Sequence, residues 1–208
     1  MRTSGLTLSR GCALANPRII GVIRAAAQAA DWRGRVSSWS GSGRVGVGRG
    51  RGIACVDYEG GNGYAALVAD VAVDLATGEV HPTRFVVAVD CGPVSNPDGL
   101  RNQTEGGILQ GMSRALVEEV TWDRRRITSV DWETYSSLHL DYEMPPVECV
   151  FVAPAGVAAT GAGETAITVT PAAIGNAIFG ATGVRLRRLP FTPERVLAAL
   201  QESGHGAA

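Results

Sequence analysis

Apolar and polar positions alternate most clearly between Tyr64 and Asp90. The run AALVADVAVDL carries small or apolar residues at a period near two, and Phe85-Val86-Val87-Ala88-Val89 is a second apolar stretch. Both spacings predict strands, over Tyr64–Asp74 and Val80–Asp90. Glu59-Gly60-Gly61-Asn62-Gly63 is a strong turn signal that joins the first of these to an earlier strand over Gly52–Tyr58, and Thr77-Gly78-Glu79 makes the next turn. The pattern predicts an antiparallel meander forming one layer of an α+β unit. Two further runs, Val117–Trp122 and Ile127–Tyr135, predict a hairpin around Asp123-Arg124-Arg125-Arg126, and Val147–Val152 predicts one more strand after the loop Asp141–Pro146.

Elsewhere the period lengthens to that of a helix. Asn16 can cap a helix and Pro17 suits its first turn; Ile19, Ile20, Ile23 and Ala27 then give a stripe as far as about Asp31. Residues 96–119 carry the best helical pattern, with Leu100, Thr104, Ile108, Met112, Ala115 and Leu116 on the core side. Another face of that helix holds Gln103, Gly107, Gln110, Gly111 and Arg114. A glycine inside a helix costs about 0.8–1 kcal/mol relative to alanine, so Gly106, Gly107 and Gly111 imply that something packs close to this face. Two candidates stand: close packing of the helix against a strand, or a polar ligand gripped by a glutamine amide, which both donates and accepts. Pro171–Gly183 reads as a helix with glycine at C′. Thr192-Pro193-Glu194 opens a terminal helix through Leu200. Residues 34–52, rich in Gly, Ser and Arg, read as loop. They include a GxGxxG match, Gly41–Gly46, but no strand precedes it and no helix follows, so the dinucleotide reading fails.

Composition narrows the function classes. The chain has 208 residues with 45% hydrophobic content, enough for one compact unit. Its boundaries read as a lead-in over 1–48, a domain over 49–200 and an unstructured tail over 201–208. A net charge of −1 gives no electrostatic case for nucleic acid. The cysteines Cys12, Cys55, Cys91 and Cys149 are scattered, with no CxxC and no nearby histidine pair. They fit thiols in a reducing, cytoplasmic setting and supply no metal site of the chain's own. Met1–Ala15 lacks a signal-peptide pattern, and no apolar run reaches membrane-spanning length.

The candidate chemistry gathers at Gly161-Ala162-Gly163-Glu164. A glycine-lined loop lets backbone N–H groups approach a ligand, and a carboxylate at its end can act as a general base. The plainer reading is a polar turn with a solvated acid. Asp141 and Glu143 are a second pair of loop carboxylates with the same plain reading. A hydrolase built on Glu164 with His81 or His139 lacks a nucleophile motif such as GxSxG.

Several segments in one order resemble a known family. DVAVDLATGEV, VVAVDCGPVSNPDGLRNQTEGGILQG, ITSVDWETYSSLHLDYEMPPVE, TGAGE and TPAAIGNAIFGATGVRLRRLPFTPERVLAAL are similar to the C-terminal part of the molybdopterin-binding large subunit of the xanthine dehydrogenase/aldehyde oxidase family. The match runs from about Arg49 to Leu200 and is nearest the nicotinate dehydrogenase and isoquinoline 1-oxidoreductase branch. The resemblance implies an α+β fold of mostly antiparallel sheet layers with packed helices. It implies a molybdenum-pterin cofactor shared with residues outside this chain, and hydroxylation of an electron-poor carbon of an N-heteroaromatic or an aldehyde with water-derived oxygen. Glu164 matches the catalytic base, Gly161, Ala162 and Gly163 the loop close to the cofactor, and Gln103 a glutamine that hydrogen-bonds the pterin; Gln110 lies on the same motif.

The resemblance also implies partners. The chain corresponds to roughly the last quarter to third of such a subunit, so an upstream molybdopterin-binding polypeptide, or the remainder of the large subunit, would complete the site. Electrons would leave through [2Fe–2S] clusters on an iron–sulfur subunit, since four scattered cysteines do not make cluster ligand sets. The competing expectation is a non-catalytic structural or interaction domain that binds no cofactor alone.

Overall fold

The computed structural model describes residues 16–33, 46–139 and 142–205. In chain order the elements are α1 (Pro17–Ala29), β1 (Val47–Asp57), β2 (Tyr64–Asp74), β3 (Val80–Asp90), α2 (Pro97–Leu116), β4 (Val147–Phe151), α3 (Thr165–Thr182) and α4 (Pro193–Leu200). The last helix continues into a short helical turn, Gln201–His205. One sheet has the order β1-β2-β3-β4, with the first three strands antiparallel and β4 parallel to β3. The fold is α+β, as the sequence predicts.

Both faces of the sheet are covered, which explains why β2 reads as almost continuously small or apolar. On one face Leu67, Ala69, Val71, Phe85 and Val87 pack with Ile108 and Met112 of α2, Ile174 and Ile178 of α3, and Val196 and Leu200 of α4. On the other, Ala66, Val68, Val86 and Ala88 receive Ile19, Val22, Ile23 and Ala26 of α1. Helix starts follow the sequence signals: the side chains of Asn16, Asn96 and Thr192 accept from Arg18, Gly99 and Arg195 backbone N–H groups.

Three expectations need correction. The first concerns residues 46–51, read as loop, which lie in or directly before β1. Gly48, Gly50 and Gly52 form one face of that strand, and α3 presses its backbone against them. A Cβ at Gly50 would stand 2.2 Å from Ala177 O and Ala181 N, and one at Gly52 2.3 Å from Ala173 O and Ala177 N. Glycine at every second residue is here a groove for the Ala173, Ala177, Ala181 ridge of α3. The Gly41–Gly46 motif, apart from its last residue, lies outside the described residues.

The second correction is that α3 begins at Thr165, six residues before the expected Pro171, which sits inside the helix. Thr165, Ala166, Val169, Thr170, Ala173 and Ile174 are buried at helical spacing, so packing overrides a β-branched run and an interior proline. Third, the hairpin over Val117–Tyr135 reduces to a single bridge between Trp122 and Ile127. Val120, Trp122, Ile127, Val130 and Trp132 are all exposed. An isolated two-stranded ribbon with no layer to bury its apolar side chains gains too little to form.

Candidate functional site

The α2 glycine face meets a helix rather than the expected strand, and Gly106 meets nothing within 4 Å. Gly107 and Gly111 are buried against α3: a Cβ at Gly111 would lie 2.7 Å from the Thr170 Cβ and 2.9 Å from Ile167 O. A neighbouring helix therefore accounts for these two. Gln103 instead reaches the Gly161–Glu164 loop, its Nε2 donating to Gly163 O at 2.5 Å. Gln110, two helical turns further on, faces a separate cleft with Ser113, Leu138 and His139. The structure thus brings Gln103, Gly161, Ala162, Gly163 and Glu164 together and leaves Gln110 apart.

The loop is fixed at both ends. After β4 the chain returns along the end of β3, where the Thr160 N–H donates to Cys91 O at 2.9 Å. At its other end Glu164 is the N-cap residue of α3, so the 18-residue helix sets its backbone position. The Glu164 side chain makes no capping bond. It accepts instead from Tyr58, whose Oη lies 2.5 Å from Glu164 Oε2. Tyr58 is pushed up to about 12, first by this hydrogen bond, then by partial burial and the negative charges of Glu164 and Glu59. It is therefore a donor throughout the neutral range.

An open cleft of about 490 Å³ lies between the turn after β3 (Cys91, Pro93–Asn96), the start of α2 (Gly99, Leu100 and Gln103), and Ala159, Thr160, Ala162 and Gly163; Gly161 does not line it. Glu164, the residue after Gly163, is exposed and does not line it either. The cleft's polar lining residues are Ser95, Asn96, Gln103 and Thr160. Nothing stands within 4 Å of where a Cβ on Gly163 would be, so this part of the loop opens to a ligand. The hydroxyls of Thr160 and Thr165, at the two ends of the loop, are buried without a hydrogen-bond partner among the described residues. A larger cavity, about 580 Å³, is lined by His81, Pro82, Thr83 and Tyr142–Pro146, none of which belongs to the glycine loop. We place the site by its chemistry at the smaller cleft.

Several alternatives find no geometry. His81 pairs with Glu79 at 3.5 Å, and His139 lines the Gln110 cleft, so neither histidine joins Glu164. Burial raises the Cys91 thiol and lifts Cys149 to about 11, which keeps both as poor nucleophiles at neutral pH. Asp141 lies outside the described residues. Among the described residues no three His, Cys, Asp or Glu side chains cluster as a metal site. Nor, among them, is any helix long and apolar enough to cross a membrane.

Sequence reasoning missed what braces the cleft. Asp90, fully buried at the end of β3, accepts from Arg18 Nε at 2.8 Å and Nη2 at 2.7 Å, and from the Gly92 N–H at 2.9 Å. These bonds fix the turn that forms one wall. Burial pushes the Asp90 carboxyl up, but the Arg18 and Gly92 hydrogen bonds and the Arg18 charge outweigh it and leave the group below its ordinary 3.8. A carboxyl depressed on folding contributes stability that is present above its unfolded value and is lost as pH falls through its folded value. Asp90→Asn should therefore lower Tm near neutrality and lose less on acidification. Thermal melts should show the wild-type and variant curves converging below about pH 4; parallel curves down to about pH 2 would contradict it. The only trace of this pair in the sequence is an acid closing an apolar strand.

Residues 57–142 match the family described as molybdopterin cofactor-binding domain. The chain is 40% identical over 199 residues to a nicotinate dehydrogenase chain of Pseudomonas putida, covering 93% of this chain and 17% of the relative. It is 32% identical over 189 residues to the beta chain of isoquinoline 1-oxidoreductase from Brevundimonas diminuta, covering 91% and 23%. Among solved structures, quinoline 2-oxidoreductase from Pseudomonas putida 86 superposes with a TM-score of 0.61 at 28% identity, over 67% of this chain and 19% of that one. The chain thus spans between a sixth and a quarter of these proteins, somewhat less than the expected quarter to third.

Proposed function

The chain belongs to the xanthine dehydrogenase family as a segment of its molybdopterin-binding subunit, and from that premise we propose that it supplies one wall of a molybdenum hydroxylase active site. The observation that carries the reading is the junction at Gly163-Glu164, where the Gln103 amide holds Gly163 at the edge of the cleft and the next residue presents a hydrogen-bonded carboxylate. The residues present fit a pterin-type group. A flat heterocycle with donors and acceptors along its edge needs partners that offer both. Gln103 would hold it through its amide and Ala162 and Gly163 through their backbone, while the Gly161 N–H is taken by Asn62; Thr160, whose buried hydroxyl has no partner among the described residues, also lines the cleft.

When bound, the cofactor supplies the redox chemistry that carries water-derived oxygen onto an electron-poor carbon of an N-heteroaromatic or an aldehyde. The net change is R–H plus water to R–OH, two protons and two electrons. Glu164 accepts one of those protons. Tyr58 occupies its Oε2, which leaves Oε1 as the oxygen that takes the proton. The two electrons would pass to [2Fe–2S] clusters held by an iron–sulfur partner. Gln103, Gly163 and Glu164 are all exposed in this chain, so the opposite wall comes from the upstream molybdopterin-binding polypeptide or the remainder of the large subunit.

The test is the molybdenum and pterin content of the chain purified with such an upstream polypeptide and an iron–sulfur subunit. Near-stoichiometric metal that follows this chain is the expected result. Metal-free assemblies in which the chain is folded would instead favour a structural domain that binds no cofactor. In the same assembly Gln103→Ala should weaken cofactor retention by about 3- to 10-fold, the loss of one hydrogen bond, with Tm nearly unchanged because the side chain is exposed. Retention at the wild-type level would remove Gln103 from the site.

A further inference from the structure

We infer that the β1–β2 turn, through Tyr58, is the positioning device for the Glu164 carboxylate. The inference rests on the proposed function, in which Glu164 is the base, and adds to it a residue that the loop motif does not contain. Two side chains of one turn hold the two ends of one loop. Tyr58 Oη donates to Glu164 Oε2 at 2.5 Å, and Asn62 Oδ1 accepts from the Gly161 N–H at 2.9 Å. Asn62 is itself held, its Nδ2 donating to Glu59 Oε2 at 3.0 Å.

The turn is built for this contact at some conformational cost. Glu59 adopts φ 48° and ψ 37°, a left-handed conformation unfavourable for a residue with a side chain. Gly63, at φ 128°, lies so close beneath the loop that a Cβ there would stand 2.7 Å from Thr165 Oγ1 and 2.9 Å from Gly161 O. Strain of this kind persists where surrounding contacts over-determine it; here these are the Asn62–Glu59 bond within the turn and the Tyr58 and Asn62 bonds to the glycine loop.

The consequence is orientation. A glutamate side chain on an exposed surface samples several rotamers and keeps only a fraction of its time in any one. One strong donor on Oε2 selects among them, and because the phenol stays protonated it holds the carboxylate without competing for the proton. Tyr58 is thus a positioning residue and Glu164 the group it positions.

Two measurements test this. In the chain itself, labelled with 13C at tyrosine Cζ, the resonance absent from Tyr58→Phe should remain that of a protonated phenol at about pH 11, and should titrate at a lower pH in Glu164→Gln, which removes the Glu164 charge but leaves burial and Glu59 in place. Ionisation of Tyr58 near 10 in the wild type would overturn the inference whatever the activity. In the assembled, cofactor-loaded enzyme, Tyr58→Phe should lower kcat by about 10- to 100-fold, the scale of one hydrogen bond to a charged group, with KM, molybdenum content and Tm unchanged. A merely structural role would move Tm or metal content instead of kcat alone, and an unchanged kcat would overturn the inference. Glu164→Gln, assayed alongside, separates the two readings: if it is silent the proposed function falls, and if it is inactive while Tyr58→Phe is silent only the positioning role falls.

Discussion

Gly50→Ala should remove about 3 kcal/mol or more of folding stability, the upper end of what overpacking costs. The added methyl would stand 2.2 Å from Ala177 O and Ala181 N, and neither is the end of a side chain that could swing away. To make room, α3 must lift off β1, and α3 also carries Ala166, Val169, Ile174 and Ile178 into the main core and Glu164 at its start. A loss of this size is a large share of the 5–15 kcal/mol that a domain has in total. The internal control is the same substitution at Gly106, which is exposed on α2 with nothing within 4 Å of a new Cβ. There alanine should stabilise by about 0.8–1 kcal/mol through helix propensity alone. Denaturant melts of the two variants should move in opposite directions, and a Gly50→Ala midpoint within error of wild type would refute the groove-and-ridge packing of β1 on α3.

That packing also shows where sequence reasoning stopped. β2 and β3 were legible to the residue because their apolar runs are local and the turns between them carry strong signals. The caps at Asn16, Asn96 and Thr192 were legible for the same reason. β1 was only half legible. Gly48, Gly50 and Gly52 look like linker composition until Ala173, Ala177 and Ala181 are known to lie against them, and that fact is separated from them by more than a hundred residues of sequence. Pro171 misled in a similar way: its preference for a first helical turn is a local rule, and contact with α2 at Gly107 and Gly111 outweighs it. In the site, the glycine loop and its acid stand together in sequence and were visible. Gln103 was visible as an amide on a glycine face. Tyr58 and Asn62 were not, because a turn signal reports only that the chain reverses and says nothing of what the turn leans on.

Glu164→Gln should reduce turnover of the assembled enzyme by about 10²- to 10⁴-fold, the range general-base catalysis contributes. Glutamine keeps the length and nearly the shape of the side chain, and its Oε1 can still accept from Tyr58, so the loop, α3 and the cleft have no reason to move. Only the ability to take a proton is lost. Cofactor content, KM and Tm are therefore expected to stay near wild type, with the whole effect in the rate at which substrate reduces the enzyme in a single turnover. Glu164→Asp should fall in between: it restores a base, but one methylene shorter, and the 2.5 Å contact to Tyr58 Oη cannot be kept without moving the backbone that α3 fixes. Adding Tyr58→Phe to Glu164→Asp should then cost little more, because the contact is already broken, whereas independent effects would multiply. Near-wild-type turnover in Glu164→Gln would refute the base assignment, and with it the reason for a tyrosine to be held against this carboxylate.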